Sequence, residues 1–434
     1  MIVDKIVLKN FRKYESLELD FKNRLSVIVG KNRSGKTSIL DAISFSLNSF
    51  VSAVLQKRTT IPCFGTDEVR YIQNNSADMH TLEMFHCFPL EVYAKGTICN
   101  EKYGRNDNLL IINNDESDQK QSAIGEDILE QLKANVFSDN LPLIAYYDIS
   151  RNNREAMLRK EKNMMPSRLN GYEDCLYAPL NSGSMTEWIK KATYVGLQRQ
   201  IKVHTLQSVL KAMEKTVEIL MSVEKVEAFY DVNNDDLCIV ELGSNEPITF
   251  MSAESAGFKT IVYIVLDIAY RMATLNPQLG DKIIEETEGI VMIDEVDLHL
   301  HPEWQQKILG VLTTIFPKVQ FIVTTHAPAV INSVKSENLI ILEDDIVREP
   351  NGEVYGKDVN TIISGVMQAD ERPEAIKQLF EEFYRSVDSQ DILKASELLD
   401  RIEKEIGNDD SELASCRVKM KLLQFKGGVN GKNQ

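Results

Sequence analysis

The hydrophobic pattern of the chain alternates between strand-like and helix-like segments, which predicts an α/β fold. Alternating apolar and polar residues at the start predict a hairpin over residues 2–9 and 15–21. Later apolar runs are short and continuous, which is typical of parallel strands that are buried on both faces. These runs lie at residues 24–30, 141–151, 290–293, 319–324 and 338–342.

Apolar residues at helical spacing predict helices between and after these strands. The predicted helices lie at residues 37–49, 186–227, 258–276 and 302–316. From Asp358 to about Gln424 the helical pattern predicts an antiparallel hairpin or a three-helix appendage.

A glycine-containing loop, GKNRSGKT, joins the strand at 24–30 to the helix at 37–49. Glycine lets backbone amides approach phosphate oxygens, and the helix N-terminus adds its positive end. We expect Lys36 to reach the β- and γ-phosphates and the Thr37 hydroxyl to bind Mg²⁺. The predicted phosphate-binding residues are Gly30, Asn32, Ser34, Gly35, Lys36, Thr37 and Ser38.

An acidic pair, Asp294 and Glu295, directly follows the apolar strand at 290–293. The carboxyl end of a buried parallel strand is where α/β proteins place their chemistry. Such a pair is common by chance, but the upstream phosphate loop favours a functional interpretation of this one. Together the two motifs correspond to Walker A and Walker B, which predicts a triphosphatase that binds ATP and Mg²⁺.

Two further features suit a phosphate contact. Ser255 and Gly257 stand at a helix start, where both residue types are ordinary caps. Their position between the Walker motifs also suits a contact to a γ-phosphate bound by another subunit. His326 follows the strand after Walker B, and we expect it to sense a γ-phosphate rather than to be structural.

Other polar residues have two interpretations. His299 and His301 form an H-L-H sequence that suits a metal pair or, more simply, a subunit interface beside the nucleotide. Asp148 and Arg151 follow the strand that starts at residue 141, which makes them candidates for a lid over the nucleotide.

The least regular segments also allow a functional and a structural interpretation. His80, His86 and Cys87 suggest a metal site, but no ligand spacing is complete, so a small sheet explains them better. The basic residues of 151–162 could contact nucleic acid, although a solvated helix face is the commoner explanation.

Composition narrows the class of protein. With 434 residues, 43% hydrophobic and 26% charged, the chain is typical of a globular protein of one or two domains. Apolar runs of about 18 residues are absent, so we expect no membrane span. Six scattered cysteines without a CxxC pair favour a reducing cytoplasm over a disulfide frame. A net charge of −16 argues against a general DNA coat.

These motifs in this order resemble the ABC-type ATPases of the RecF/SMC/OLD group. The resemblance rests on Walker A after the third strand, a distant Ser-x-Gly signature, IDE followed by HLHP, and TTHAP. Within the group, the closer resemblance is to the PtuA ATPases of Septu and retron-associated anti-phage systems. It covers nearly the whole chain, through LPLIAYY, SRLNGYEDCL, DIAYRMATLNPQL, GIVMIDEVDLHLHPEWQQKIL, FPKVQFIVTTHAP and YGKDVNTIISGVM.

The resemblance implies a role for each matching residue of the Walker motifs and the His-loop. Lys36 and Thr37 would bind phosphate and Mg²⁺, and Asp294 would complete the Mg²⁺ shell through water. Glu295 would polarise the attacking water, and His326 would contact the γ-phosphate.

The resemblance also implies a site that is shared between subunits. Ser255 and Gly257 would act in trans on the ATP of a second subunit, and His299–Pro302 would form the D-loop. The signature reads MSAESAGFK, where the family more often has a compact LSDGYR-like run.

The implied fold is an ABC-type P-loop ATPase head with a mixed sheet, an inserted helical region and a C-terminal helical appendage. Residues 1–150 would carry Walker A and an inserted arm, and 151–235 would form the helical insertion. Residues 236–350 would carry the signature, Walker B and His-loop, and 351–434 would form a docking appendage.

The family further implies partners. Heads would dimerise on ATP and join a higher, even-numbered assembly with a separate small HNH nuclease, PtuB. Retron versions would add a reverse transcriptase with its DNA/RNA hybrid, the msDNA. The sequence shows neither Toprim acidic motifs nor an HNH-type His/Cys pattern, so we expect an ATPase without a nuclease domain of its own. A RecF-like repair ATPase that binds DNA itself, and a scaffold with a decayed site, are the open alternatives.

Overall fold

The computed structural model divides the chain into two units, Met1–Ile362 and Ile363–Gln434. The described residues are 1–55, 66–74, 83–98, 101–108, 116–133, 139–149, 168–178, 183–243, 249–343, 345–368, 370 and 372–430. His80, Arg151 and the basic stretch at 151–162 therefore lie outside the described residues.

The strands β1 to β15 carry the alternating and continuous apolar patterns of the sequence. In chain order they are Ile2–Phe11, Tyr14–Asp20, Leu25–Gly30, Tyr71–Asn74, Glu83–His86, Glu91–Ile98, Glu101–Asn108, Leu143–Tyr147, Val226–Asp231, Asp236–Glu241, Thr249–Phe250, Gly289–Ile293, Val319–Thr325, Leu339–Glu343 and Ile346–Arg348. The helices α1 to α12 are Lys36–Leu55, Glu116–Lys133, Gly183–Arg199, His204–Met221, Ala256–Leu275, Ile283–Glu286, Pro302–Ile315, Pro328–Ile331, Val359–Gly365, Glu374–Asp388, Ile392–Ile406 and Ser411–Asn430.

The central sheet has the strand order β15-β14-β3-β13-β12-β8. All neighbours in it are parallel except β15, which is antiparallel to β14. Strands β8, β12 and β13 are buried along their whole length, as expected for parallel strands covered on both faces. Because β13 lies between β3 and β12, the carboxyl ends of these three strands meet at one edge of the sheet.

Antiparallel sheets complete the first unit. The predicted N-terminal hairpin forms, and β6 and β7 extend it into a sheet of order β2-β1-β6-β7. Residues that we expected in an inserted arm thus share a sheet with the N-terminus. A small sheet of order β11-β10-β9 precedes α5, and β4 pairs with β5.

The helix predicted at 186–227 is wrong at its C-terminal end. Helix α4 ends at Met221, where Ser222 adopts a left-handed conformation (φ 55°) and donates its backbone N–H to Glu218. The following residues, from Val226, form β9 with alternating buried and more exposed side chains. A left-handed residue stops an α-helix, and the period-two pattern then selects a strand.

Helix α1 is long and apolar enough to cross a membrane, judged by length and composition alone. Within the structure, 67% of its most apolar window is buried. The helix starts directly after the phosphate loop and contributes Ile39, Leu40 and Ile43 to the core. Its apolar character is therefore that of a core helix.

The second unit is built on α10, α11 and α12, as the helical periodicity predicts. Its apolar core includes Phe383, Ile402 and Leu413. Arg372 makes two hydrogen bonds of 2.9 Å to the Asp410 carboxylate, which joins the segment before α10 to the one before α12.

A buried polar network connects α5 to the central sheet. Tyr147 at the end of β8 donates to the Asp267 carboxylate at 2.8 Å, and Arg271 Nε donates to it at 2.7 Å. Arg271 also donates to the carbonyls of Gly171 and Glu173. Asp267 and Arg271 are 0% and 3% exposed. A buried charge is costly unless it is paired, so this network holds α5 against β8.

We predict that Asp267→Ala destabilises the first unit by about 3–5 kcal/mol, because it leaves the Arg271 guanidinium buried without its carboxylate. The measurement is urea unfolding followed by tryptophan fluorescence, since Trp188 and Trp304 both belong to this unit.

The matched control for that experiment is Glu187→Ala, which removes the carboxylate of an exposed i,i+4 pair with Lys191. Exposed pairs contribute little, so the unfolding free energy should stay nearly unchanged. Equal losses in the two variants would contradict a structural role for the buried network.

Candidate nucleotide-binding site

A cavity of about 470 Å³ opens where β3, β12 and β13 end. Most of the predicted phosphate and metal residues line it together. These are Asn32, Gly35, Lys36, Thr37, Ser38, Asp294, Glu295 and His326. The parallel register of the central sheet is what brings residues from such distant parts of the chain to one cavity.

The phosphate loop is folded closely around its own lysine. Lys36 Nζ donates to the carbonyls of Gly30 and Lys31 at 3.0 and 3.3 Å. A side chain at Gly30 would collide with the Leu342 carbonyl oxygen and with Ser34, so this position needs glycine. Gly35 has a φ of 89°, a conformation that L side chains rarely adopt. The loop therefore has the compact backbone that a phosphate cradle requires.

Burial lowers the pKa of Lys36 to about 8, against the opposing effect of the Asp294, Glu295 and Asp297 carboxylates. The side chain is 6% exposed, and an ammonium group loses hydration there. A phosphate anion in the cavity would favour the charged amine.

Asp294 accepts hydrogen bonds from two threonine hydroxyls at the edge of the cavity. Thr37 Oγ1 donates to Asp294 Oδ2 at 2.7 Å, and Thr324 Oγ1 donates to Asp294 Oδ1. A hydroxyl and a carboxylate are the oxygen ligands that Mg²⁺ prefers, and their adjacency fits a magnesium ion held by Thr37 and Asp294.

Glu295 stands directly after Asp294 with a φ of 47°, in the left-handed region. Its backbone N–H donates to Thr324 Oγ1 at 2.8 Å, which holds the residue in that conformation. Strained non-glycine residues are enriched at functional sites. Glu295 lines the cavity, which is the placement that its predicted role of polarising water requires.

His326 lines the same cavity and is half-buried. Burial, followed by the Lys36 cation, lowers the pKa of His326. Its backbone N–H donates to Asp297 Oδ1, and Thr325 Oγ1 donates to the same oxygen at 2.5 Å. Asp297 thus connects the turn after Walker B to the end of β13. Asp297 was not predicted from the sequence, although it stands only two residues after Glu295.

The signature residues do not line the cavity of their own chain. Ser255 is exposed and caps α5, where its side chain accepts a hydrogen bond from the Phe258 N–H. Gly257 is buried against the predicted D-loop, and a side chain there would collide with the His299 carbonyl oxygen. This placement is what a role in trans requires, and that role stays a prediction.

Of the described candidates, His299, His301 and Asp148 do not line the cavity. His301 caps α7, and its Nδ1 accepts from the Glu303 N–H. Asp148 directly follows β8 and does not line the cavity. Among the described residues there is no group of three or more His, Cys, Asp and Glu that could hold a metal.

Three basic residues in the cavity lining were not predicted: Arg12, Lys13 and Arg33. Arg12 donates to Asp41 on α1 at 2.6 Å, and Lys13 forms an ion pair of 2.6 Å with Asp345. The sequence places Arg12 and Lys13 in a hairpin turn, but it carries no signal for the direction of that turn.

The chain matches the family described as RecF/RecN/SMC N terminal domain over residues 2–347. The retron Ec83 probable ATPase of Escherichia coli is 25% identical, over 96% of this chain and 86% of that protein. The retron Vc95 probable ATPase of Vibrio cholerae serotype O1 biovar El Tor is 24% identical, over 85% and 79%. The Septu protein PtuA of Bacillus thuringiensis is 33% identical, over 37% and 43%. These relatives confirm the resemblance that the sequence motifs indicate.

Two solved structures of low sequence identity are also similar. The SMC head bound to the C-winged helix domain of ScpA has a TM-score of 0.44 and 15% identity, covering 80% of this chain and 96% of that chain. The SMC head domain from Thermotoga maritima has a TM-score of 0.41 and 16% identity, covering 80% and 97%.

We predict that the affinity for a non-hydrolysable ATP analogue decreases as the pH rises above about 8, by up to tenfold per pH unit. The pKa of Lys36 is lowered to about 8, so the amine loses its charge there and must take up a proton to bind phosphate. Isothermal titration calorimetry between pH 7 and pH 9.5 measures this. Lys36→Ala should bind weakly and without that slope, and an equal slope in the variant would contradict the assignment to Lys36.

Proposed function

The chain belongs to the RecF/RecN/SMC N-terminal domain family, and on that premise we propose an ATPase of an anti-phage defence system. In this proposal two heads close on ATP and control a separate HNH nuclease subunit. The observation that supports an ATP site shared by two heads is the composition of the cavity. It unites Walker A, Walker B and His326 but leaves the signature residues, Ser255 and Gly257, outside.

The residues of one chain supply most of the hydrolytic chemistry. The amides of the phosphate loop and Lys36 bind the triphosphate, and Thr37 and Asp294 would hold Mg²⁺, which neutralises developing charge. Glu295 accepts a proton from the attacking water, and His326 contacts the γ-phosphate. Phosphoryl transfer depends on such positioning and charge stabilisation, so each of these roles acts on kcat.

A second chain completes the site. Its Ser255 and the backbone N–H of its Gly257 would contact the γ-phosphate from the opposite side, at the N-terminus of α5. ATP then acts as a bridge between heads, and hydrolysis releases it. This is the behaviour of a switch rather than of a metabolic enzyme.

The names of the relatives support defence as the context. Proteins called retron ATPases match the chain over most of its length, and a Septu PtuA matches over part of it.

We propose that the nuclease binds the unit Ile363–Gln434 in an even-numbered assembly. In retron versions the assembly would also contain a reverse transcriptase and its msDNA. The six scattered cysteines of the sequence include no CxxC pair, and from this we infer a reducing cytoplasm.

We predict that Glu295→Gln accumulates as a dimer in the presence of ATP and Mg²⁺. The amide cannot accept the proton of water, so hydrolysis slows while the bridging triphosphate persists. Sedimentation velocity with and without ATP measures the shift. Lys36→Ala should stay monomeric in both conditions, and a monomeric Glu295→Gln with bound ATP would contradict the shared site.

We predict that co-expression with proteins encoded beside its gene yields an even-numbered assembly that carries a small nuclease. Native mass spectrometry of the copurified complex, with and without ATP, measures its composition. If the chain purifies alone and its ATP-closed dimers capture DNA, the RecF-like repair ATPase is the better account.

A further inference from the structure

Arg33 occupies a backbone position that favours glycine. It is the fourth residue of the loop GKNRSGKT and has a φ of 67°. The Ser34 N–H donates to the Lys31 carbonyl at 3.0 Å, so Arg33 is the third residue of a tight turn. Turns with a left-handed third residue select glycine or asparagine there. An arginine in that place has an uncommon backbone conformation, and such residues are enriched at functional sites.

Neighbouring side chains fix the backbone of the turn. Lys13 Nζ donates to the Arg33 carbonyl at 3.2 Å, and Tyr14 Oη donates to the Ser34 carbonyl at 2.8 Å. Tyr14 is fully buried, so its hydroxyl is held in place by the core. The conformation at position 33 is therefore imposed by the fold and does not depend on the Arg33 side chain.

The Arg33 side chain is exposed, lines the nucleotide cavity and has no ion pair or hydrogen bond within the described part of the chain. The other basic side chains of the cavity lining each have a partner within the protein. Arg12 pairs with Asp41, Lys13 pairs with Asp345, and Lys36 donates to loop carbonyls. The five N–H donors of the Arg33 guanidinium thus have no acceptor among the residues that the structure describes.

We propose that Arg33 is a catalytic residue whose guanidinium contacts the γ-phosphate bound in its own cavity during hydrolysis. This rests on the proposed ATPase function. The water oxygen forms a bond to the γ-phosphorus while the bond to the β–γ bridging oxygen breaks. ADP leaves with that electron pair, and the water proton passes to Glu295 and then to the phosphate. Arg33 keeps its protons and neutralises charge that grows on the transferred group.

Arg33→Gly separates this role from a structural one, because glycine suits the left-handed backbone. We expect kcat to fall roughly a hundredfold or more, as for the loss of other transition-state arginines. Affinity for a non-hydrolysable ATP analogue should change less than about threefold, since the contact forms mainly in the transition state. Affinity for ADP with aluminium fluoride should fall with kcat, and the melting temperature should stay the same or rise.

Two further variants complete the experiment. Arg33→Lys keeps the charge but loses the planar fork, so its kcat should lie between wild type and Arg33→Gly. Arg24→Ala removes an exposed arginine at the opposite end of β3 and should behave as wild type.

The possible results distinguish a failure of the role proposed for Arg33 from a failure of the proposed ATPase function. Wild-type turnover in Arg33→Gly would overturn the catalytic role, and so would a parallel loss of kcat and analogue affinity, which would make Arg33 a binding residue only. Absence of Glu295-dependent ATP hydrolysis in the wild type would instead contradict the proposed ATPase function.

Discussion

One buried carboxylate holds the candidate site together. Asp294 lies at the end of β12 and accepts hydrogen bonds from Thr37 at the start of α1 and from Thr324 in β13. It can do so only because the parallel register brings β3, β13 and β12 to one edge of the sheet. The fold itself thereby positions the phosphate loop, the candidate metal ligands Thr37 and Asp294, and Glu295, and such positioning reduces the entropic cost of reaching a reactive geometry.

Strand β8 connects the helix after the phosphate loop, α1, to α5, the helix whose start carries the predicted signature residues. Its last residues, Tyr146 and Tyr147, point to opposite faces of the sheet. Tyr146 donates to Asp41 on α1, and Tyr147 donates to Asp267 on α5. One strand thus joins the helix that follows the phosphate loop to the helix that starts at the signature.

The strands and the cavity could be predicted from the sequence where a single local pattern determines the structure. Continuous apolar runs identified β3, β12 and β13, and the Walker motifs at their ends identified the cavity. The predicted class, an ABC-type ATPase head with a mixed sheet and C-terminal helices, is confirmed by the family match. Arg12 and Asp297 were missed because their positions depend on distant partners. Arg12 donates a hydrogen bond to Asp41 on α1, and Asp297 accepts one from Thr325 at the end of β13.

We propose that each site is built from residues of two chains, and this can be tested by mixing two inactive variants. Lys36→Ala disables the phosphate loop, and Ser255→Arg blocks the contact in trans. In a mixed dimer, one site combines the phosphate loop of the Ser255→Arg chain with the signature residues of the Lys36→Ala chain. Both parts of that site are intact. We predict that the mixture hydrolyses ATP although neither variant does so alone. A mixture that forms dimers and stays inactive would contradict it.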